Sequence, residues 1–142
     1  MGLEVMRYAL DVCALIASLK DEPGADIIDT IVLDATAGQA RLEMSVYNLL
    51  EVYYGFIRDY GIDAANTIMR RVDEIPLNII KEVSDFVYNE AARLKGVYHK
   101  ISLADAVGLA TAASCSARFV TSDHHELEVI ERSEAIQFFW FR

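Results

Sequence analysis

The sequence predicts an α/β fold built on a parallel sheet, and two observations support this prediction. Short apolar segments typical of strands recur along the chain, and longer segments with helical periodicity lie between them. Two of the strands also end beside an aspartate, at the edge where ligands collect in open α/β sheets. Because strands that alternate with helices pair in parallel and carry helices on both faces, we expect a three-layer α/β/α arrangement.

The first elements of the chain show this alternation clearly. Residues 7–10 are an apolar strand, and residues 13–20 have the composition of a short helix. Residues 21–24 contain two acids, a proline and a glycine, which is typical of a turn that leads into a helix. That helix covers residues 25–37, where apolar side chains recur at helical spacing, and Gly38 ends it.

The next part of the chain adds one strand and two helices. Residues 40–46 alternate apolar and polar side chains, which is the period of a half-buried strand. Ser45 or Asn48 can cap the helix at residues 48–60, because both side chains accept hydrogen bonds from free backbone N–H groups. A further amphipathic helix covers residues 63–74.

The second half of the chain contains three more strand candidates. Pro76 restricts the apolar segment 75–80 to a sheet edge or a strand start, because proline has no N–H to donate. The other predicted elements are a helix at 81–95 that Gly96 stops, an alanine-rich helix at 102–117, a strand at 118–121, a helical turn at 126–132 and a strand at 135–141. The apolar side of the helix at 81–95 is expected to consist of Val83, Phe86, Val87, Ala91 and Leu94. No repeat or linker interrupts the sequence, so we expect residues 1–142 to form one domain.

The charge balance limits the partners that the protein can have. The net charge is −9, from 22 acidic and 13 basic residues. This argues against a protein that coats nucleic acid non-specifically, because such a protein needs a basic face. It does not exclude a nuclease, because cations bound to an acidic cluster make the site locally less negative.

The composition also indicates an oligomer or a partner surface, and a reducing compartment. Apolar residues make up 54% of the chain and the mean hydropathy is +0.21, which is high for a soluble domain and indicates a surface for a second subunit or a partner. Cys13 and Cys115 do not form a disulfide framework. The sequence shows neither a signal peptide nor an apolar stretch of the roughly 20 residues that a membrane span needs. We therefore expect a cytoplasmic protein.

Four carboxylates lie in apolar surroundings: Asp11, Glu51, Asp105 and Asp123. Each has a purely structural alternative. Asp11 and Asp123 can cap the helices that follow them, and Asp105 has capping-box spacing from Ser102. Glu51 can be a solvent-facing residue, but its helical neighbours offer no basic side chain, and the apolar or aromatic face around it favours a partly buried carboxylate.

Considered together, these four carboxylates predict a metal site. Two of them follow strands and two lie at adjacent helix starts, so the fold directs all four towards one edge of the sheet. Ligand sets made only of oxygen suit Mg²⁺ or Mn²⁺. Carboxylates that lie close together raise each other's pKa and need a cation to stay ionised. The chemistry that suits such a cluster is phosphodiester hydrolysis by a metal-activated water.

The segments around these acids resemble the four motifs of the PIN domain, and especially those of the VapC-like ribonuclease toxins of prokaryotic toxin–antitoxin systems. The resemblance covers nearly the whole chain in order. The segments are LDVCALI at residues 10–16, NLLEVY at 48–53, SLADA at 102–106 and VTSDH at 120–124.

The resemblance implies a fold, an activity and partners. It implies a parallel sheet of four or five strands between helices. It also implies that Asp11, Glu51, Asp105 and Asp123 are the catalytic acids that bind the metal, and that Thr121 supports them. The implied activity is RNA cleavage that depends on Mg²⁺ or Mn²⁺, with a cognate antitoxin as inhibitor and a homodimer as the expected assembly.

One departure from the family pattern leaves a second hypothesis open. Many relatives carry hydroxyl residues after the first aspartate, whereas this chain has Val12 and Cys13. Loss of a hydroxyl that supports Asp11 would give a catalytically weak PIN-like binding module. A third hypothesis is a Mg²⁺-dependent phosphohydrolase of the haloacid-dehalogenase type, but that type carries Asp-x-Asp at its first strand, and Cys13 stands at the position of the second aspartate.

Other residues have weaker functional interpretations. His124 and His125 adjoin the predicted site, where they are either solvated or general acid–base groups, and Cys13 is more simply a packed residue than a nucleophile. An aromatic stretch beside Glu51 is either core or a docking surface for a subunit or an antitoxin; it comprises Tyr53, Tyr54, Phe56 and Tyr60. The candidates for phosphate contact, which can equally be solvated surface, are Arg41, Arg70, Arg71 and Lys100.

Overall fold

The computed structural model describes residues 5–142, and within this range it contains five strands and seven α-helices. The strands are β1 (Met6–Leu10), β2 (Ala40–Ser45), β3 (Leu77–Ile80), β4 (Arg118–Thr121) and β5 (Phe138–Trp140). The helices are α1 (Val12–Lys20), α2 (Ala25–Thr36), α3 (Val46–Tyr60), α4 (Ile62–Arg70), α5 (Asp85–Val97), α6 (Leu103–Ser114) and α7 (His124–Ser133). None of these helices combines the length and the apolar character that a membrane span requires.

All five strands pair in parallel in a single sheet with the order β3-β2-β1-β4-β5. This confirms the predicted α/β class and the five-stranded upper limit of the predicted sheet. Strand β3 lies at an edge, as Pro76 directly before it requires. The chain moves outward from β1 to β2 and β3, then returns to the other side of β1 with β4. The strand order therefore reverses between β1 and β4, which is where open α/β sheets bind ligands.

Two apolar cores lie on the two faces of the sheet, which confirms the predicted three layers. Tyr8 and Leu10 of β1 face one core, which the first four helices cover. Ala9, between them, faces the other core, which α5, α6 and α7 cover. Alternate residues of one strand thus serve both layers, because successive side chains of a strand point to opposite faces.

Most predicted boundaries agree with the structure within one or two residues. The start of α3 and the end of α4 show how local contacts shift a boundary. Helix α3 begins at Val46 because the Ser45 side chain accepts a hydrogen bond from the Tyr47 N–H. Asn48 is therefore not a cap; it lies inside the helix and is fully buried. The helix predicted at 63–74 is wrong in its last turn, since α4 ends at Arg70 and a 3₁₀ turn follows at Arg71–Glu74.

The prediction for α5 is wrong at both ends. The helix begins at Asp85 because Ser84 caps it through the Val87 N–H, and it continues through Gly96 to Val97. Because the helix starts four residues late, Val83 lies outside it, and Val83 and Phe86 are exposed. The other members of the predicted apolar side are buried as expected, and these are Val87, Ala91 and Leu94.

The last elements differ in length from their predictions. Helix α6 ends at Ser114, three residues early, and the chain leaves it through Ser116 in the left-handed region with φ of 52°. Helix α7 begins two residues early, at His124, because the side chain of Asp123 caps it. Strand β5 is limited to Phe138–Trp140, the segment that pairs with β4.

Candidate functional site

Asp11 lies where β1 ends and α1 begins, at the reversal of strand order. Its Oδ1 accepts a hydrogen bond of 2.8 Å from the Val12 N–H, and its Oδ2 accepts one of 2.7 Å from the Thr121 hydroxyl. Only 4% of the residue is exposed. The structural alternative and the functional prediction are therefore compatible, because the same carboxylate caps the helix and faces the cleft.

Thr121 links the two strand ends of the site. Besides donating to Asp11, its Oγ1 accepts a hydrogen bond of 3.1 Å from the backbone N–H of Asp123. Asp123 caps α7 through a bond of 3.3 Å from the Glu126 N–H to its Oδ1. The fully buried Thr121 thus fixes the position of one aspartate side chain and the backbone of the other.

Glu51 and Asp105 come from helices rather than strands. Glu51 is half-buried on α3, and its Oε1 accepts a hydrogen bond of 3.2 Å from the Tyr54 hydroxyl. Asp105 forms the predicted capping box with Ser102: the Asp105 Oδ2 accepts from the Ser102 N–H at 3.2 Å, and the Ser102 Oγ accepts from the Asp105 N–H at 3.0 Å. Local hydrogen bonds therefore orient both carboxylates.

Asn48 holds together the two helices that carry Glu51 and Asp105. Its Nδ2 donates to the Ala104 carbonyl at 3.3 Å, while its buried Oδ1 has no hydrogen-bond partner among residues 5–142. A Cβ atom on Gly108 would lie 2.5 Å from that Oδ1, so α3 and α6 approach closely only because residue 108 is glycine. Sequence analysis missed this contact, for which an amide among apolar residues and a glycine inside an alanine-rich helix were the available signals.

All four predicted acids line one open cleft of about 390 Å³. The structure adds Glu22, from the turn between α1 and α2, which sequence analysis did not select. No lysine or arginine of the described chain lines this cleft; the other lining residues are Val12, Cys13, Ile16 and Ser102. The cleft therefore gathers carboxylates that no basic side chain of its own walls neutralises.

The charges in the cleft act on one another mainly through Asp105. Burial raises the pKa of Asp11 to about 7, and the Asp105 charge adds to that rise, while hydrogen bonds from Thr121, Val12 and Cys13 oppose it. Burial and the Asp105 charge also raise the pKa of Glu51. The pKa of Asp105 is itself raised, first by burial, and further by the charges of Asp123 and Glu126. Each of these shifts is one that a bound cation would reverse.

Cys13 takes part in the support of Asp11. Its Sγ donates to the Asp11 Oδ2 at 3.6 Å, lies 3.5 Å from the Thr121 Oγ1, and accepts from the Ser122 N–H at 3.4 Å. Burial, and then the charge of Asp11, raise the pKa of this thiol to about 11. The thiol is therefore protonated at neutral pH, and it donates a hydrogen bond to Asp11 as a hydroxyl would.

The donor set of the cleft fits a hard divalent cation. Among residues 5–142, no three His, Cys, Asp or Glu side chains are already arranged to hold a metal ion together. The cleft nevertheless presents carboxylate oxygens from four separate segments, one of them buried, in walls without a basic residue. Oxygen ligands of this kind are those that Mg²⁺ and Mn²⁺ prefer.

The two histidines do not line the cleft. His124 stacks on Trp140 with ring centroids 4.2 Å apart, and its ring nitrogens bond Glu128 and the Arg142 carbonyl. That carbonyl, followed by Glu128, raises the pKa of His124. His125 is exposed and lies 3.7 Å from Glu126. His125 is therefore a solvated side chain, which is one of the two predicted alternatives, and His124 stacks on Trp140 at the surface.

The aromatic stretch and the basic candidates divide between core and surface. Phe56 is buried in the core, whereas Tyr54 and Tyr60 are about half exposed and Tyr53 bonds Asn66. Among the basic residues, Arg71 donates to the Leu19 carbonyl at 3.0 Å. The other three candidates are exposed, and these are Arg41, Arg70 and Lys100.

A cleft lined by carboxylates lies at the reversal of a parallel sheet, which is the place where open α/β proteins bind their ligands. The family model of the PIN domain matches residues 8–132, so the chain belongs to the PIN domain family. This confirms the resemblance read from the four motifs. No curated protein sequence matches the chain significantly.

Solved structures with low sequence identity share the fold. Superposition on VapBC2 from Rickettsia felis, bound to a promoter DNA fragment, gives a TM-score of 0.74 at 17% identity and covers 95% of this chain and 98% of that chain. A toxin-antitoxin complex from Klebsiella pneumoniae gives 0.58 at 20% identity, with 84% and 89% covered. VapC20 from Mycobacterium tuberculosis, described as a sarcin-ricin loop cleaving toxin, gives 0.58 at 15% identity, with 78% and 85% covered.

Proposed function

We propose that the protein is a metal-dependent endoribonuclease in which Asp11, Glu51, Asp105 and Asp123 hold Mg²⁺ or Mn²⁺. The single observation that supports this best is the meeting of these four carboxylates in one cleft that no described basic side chain lines. The PIN family match over residues 8–132 supports a nuclease. The likeness to VapC20, a toxin that cleaves the sarcin-ricin loop, favours RNA as the substrate.

The proposed roles follow from how firmly each acid is held. Asp11 accepts hydrogen bonds from three donors, more than any of the other three acids, while Thr121 sets the backbone of Asp123 relative to it. Glu51 and Asp105 reach the cleft from two helices whose separation Asn48 sets. A bound divalent ion would activate a water for attack on the phosphodiester and stabilise the charge that develops on the phosphate oxygens.

No side-chain nucleophile is part of this proposal. Cys13 is the nucleophilic group that lines the cleft, but burial and the neighbouring Asp11 charge hold its pKa at about 11 and keep it protonated. None of the three histidines lines the cleft. The carboxylates that are not fully neutralised by the cation are then the groups of this chain that can accept a proton from the attacking water.

A toxin role with a cognate antitoxin is the second part of the proposal, supported by the likeness to toxin-antitoxin and VapBC structures. A groove of about 250 Å³ runs from Glu51 between α1 and α3. Its floor is apolar, with Ile16, Val52 and Phe56, and Lys20 and Arg58 also line it. This groove suits an apolar peptide segment that ends beside the carboxylates.

A cytoplasmic location also belongs to the proposal, and the free thiols Cys13 and Cys115 support it.

A homodimer is the third part of the proposal. Exposed apolar side chains of α3, α5 and α6 and of the segment before α5 surround a groove of about 490 Å³, and among those that line it are Tyr47, Val83, Tyr88 and Leu103. A second copy of the chain would cover this face, consistent with the apolar excess of the sequence. Light scattering should give twice the chain mass for the wild type and a monomer for Tyr88→Glu; a wild-type monomer would exclude the dimer.

The activity is tested with purified protein and a panel of end-labelled structured RNAs, in the presence of Mn²⁺, Mg²⁺ or chelator. We expect cuts at defined positions with either metal and none with chelator. Asp11→Asn protein, prepared in parallel, controls for contaminating nuclease and should give no product. DNA of matching sequence tests whether RNA is preferred. Equal cutting by the Asp11→Asn protein would contradict the proposal.

The alternatives from the sequence lose support. The binding-module hypothesis depended on Val12 and Cys13 standing where relatives carry hydroxyl residues, and the Cys13 thiol donates a hydrogen bond to Asp11. Calorimetric titration with Mn²⁺ decides between the two, since saturable binding that Asp11→Asn abolishes is expected only for the nuclease. The PIN match over residues 8–132 removes the haloacid-dehalogenase type from consideration.

A further inference from the structure

A second cleft lies at the opposite edge of the sheet, where the central strands begin. Its volume is about 750 Å³, within the usual range for small-molecule and cofactor sites. It is lined by Val5, Met6, Arg7, Arg41, Ser116, Arg118 and Gln137. Three arginines therefore share this cleft with no carboxylate among its described lining residues, in a chain whose net charge is −9.

Strand register places two of these arginines side by side and the third at the same edge of the sheet. Arg7 of β1 and Arg41 of β2 are paired residues on neighbouring parallel strands, so their side chains leave the same face of the sheet side by side. Arg118 begins β4 on the other side of β1 and pairs with Tyr8, so its side chain leaves the opposite face of the sheet at the same edge. Within residues 5–142, none of the three lies within 4.0 Å of a carboxylate oxygen. Adjacent guanidinium groups repel each other, and the described part of the chain supplies no counter-charge.

Two of the three guanidinium groups are held in position by uncharged partners. The Arg7 Nη1 donates to the Cys115 carbonyl at 3.1 Å, just beyond the end of α6. The Arg118 guanidinium lies over the Phe139 ring, 5.9 Å from its centroid. These contacts use only part of the donor capacity of each group and leave its charge unpaired. The cleft thus presents a partly preorganised set of donors to which its described lining supplies no anionic acceptor.

We propose that this cleft binds a phosphate-bearing ligand. The planar fork of arginine matches phosphate oxygens in pairs, and a dianion between Arg7 and Arg41 would remove their mutual repulsion. Ser116 and Gln137 add neutral hydrogen-bonding groups at the rim. The phosphate comes either from the backbone of an RNA strand or from a free nucleotide. The proposal concerns the edge opposite the acidic cleft, so it does not depend on the proposed nuclease activity.

Binding is measured on Asp11→Asn protein in chelator, so that neither cleavage nor a divalent ion contributes. The probes are a fluorescent single-stranded RNA of 12 nucleotides, followed by anisotropy, and unlabelled AMP and pyrophosphate, followed by calorimetry. Arg41→Gln is expected to weaken binding about tenfold, since it removes one charged fork. For RNA it should also reduce the slope of log K against log salt by about 0.7. Arg132→Gln is the matched control, because that arginine is exposed on α7 and does not line the cleft.

The outcomes separate the two sources of phosphate. RNA binding that Arg41→Gln weakens, with no heat from AMP or pyrophosphate, assigns the cleft to the RNA backbone. Binding of AMP or pyrophosphate that displaces the RNA assigns it to a free nucleotide. Arg7→Gln repeats the test at the paired position, and circular dichroism confirms that each variant is folded. Equal effects of Arg41→Gln and Arg132→Gln, or no binding of any probe, would overturn the proposal.

Discussion

The two edges of the sheet carry opposite charges and are built in different ways. At the carboxyl edge, Asp11, Asp105 and Asp123 each cap a helix while lining the acidic cleft. At the amino edge, Arg7 and Arg41 meet through strand register, and neither takes part in a helix cap. Helix caps therefore help to hold three of the acids, whereas the pairing of distant strands places the two arginines side by side. The comparison shows that three of the acids have a structural role beside their proposed functional one, whereas Arg7 and Arg41 take part in no helix cap.

The largest effect is expected at the acidic edge, where Asp11→Asn replaces one carboxylate oxygen by an amide NH₂ group. Asp11→Asn keeps the helix cap, because the amide oxygen still accepts from the Val12 N–H. We expect RNA cleavage to fall more than about a hundredfold, since removing a direct metal ligand should cost more than the 10- to 100-fold typical of a supporting residue. Cleavage rates in Mn²⁺ measure the effect. Asp73→Asn, at an exposed position outside the cleft, is the control and should cleave at the wild-type rate.

The second prediction uses the ionisation of the same carboxylate. Its pKa is raised to about 7 by burial and the Asp105 charge, so the folded protein binds a proton more tightly than the unfolded chain does. The free energy of unfolding in chelator should therefore fall as the pH rises from about 4 to about 7, by up to about 4 kcal/mol from this group. Asp11→Asn should remove most of that fall.

Urea denaturation at pH 5 and pH 8 measures this dependence in chelator and in Mn²⁺. Added Mn²⁺ should restore stability at pH 8, because a bound cation favours the ionised carboxylate. A wild-type protein that is no less stable at pH 8 than at pH 5 in chelator would mean that ionisation of Asp11 does not destabilise the folded protein.

The fold and the acids were accessible from sequence because their signals are local. Asp11 and Asp123 follow apolar strands, and Ser102 is a typical cap for the helix that carries Asp105. A few neighbouring residues in the sequence are therefore enough to locate all three acids. Contacts between distant segments gave no such signal. The residues around Asn48 in the sequence do not indicate that Gly108 lies against it. Arg7 and Arg41 likewise become neighbours only through the register of β1 and β2. The late start of α5 has a different cause. The apolar pattern continues before Ser84, and the pattern alone does not show that Ser84 caps the helix.

The third prediction concerns the contact that joins α3 and α6, the helices that carry Glu51 and Asp105. Gly108→Ala places a Cβ about 2.5 Å from the Asn48 Oδ1, so the helices must move apart or the amide must turn. We expect a loss of stability of about 1–3 kcal/mol and a fall in cleavage rate, because Glu51 and Asp105 shift with their helices. Thermal unfolding and Mn²⁺-dependent cleavage report the two effects.

A matched control lies on another helix. Gly96 of α5 has nothing within 4 Å of an added Cβ, so Gly96→Ala should leave cleavage unchanged and stabilise the protein by up to about 1 kcal/mol. If both alanine variants behaved alike, the close approach at Gly108 would have no special role in setting the acidic edge.

The smallest expected effect is at Cys13, where the sequence departs from the family pattern. Cys13→Ser keeps a donor to the Asp11 Oδ2 and should change cleavage no more than about threefold, whereas Cys13→Ala removes the donor and should lower it about tenfold. The comparison separates hydrogen bonding from packing, because serine and alanine are both smaller than cysteine. Equal rates for the two variants would show that the thiol only fills space, and that Thr121 and the Val12 N–H suffice to hold Asp11.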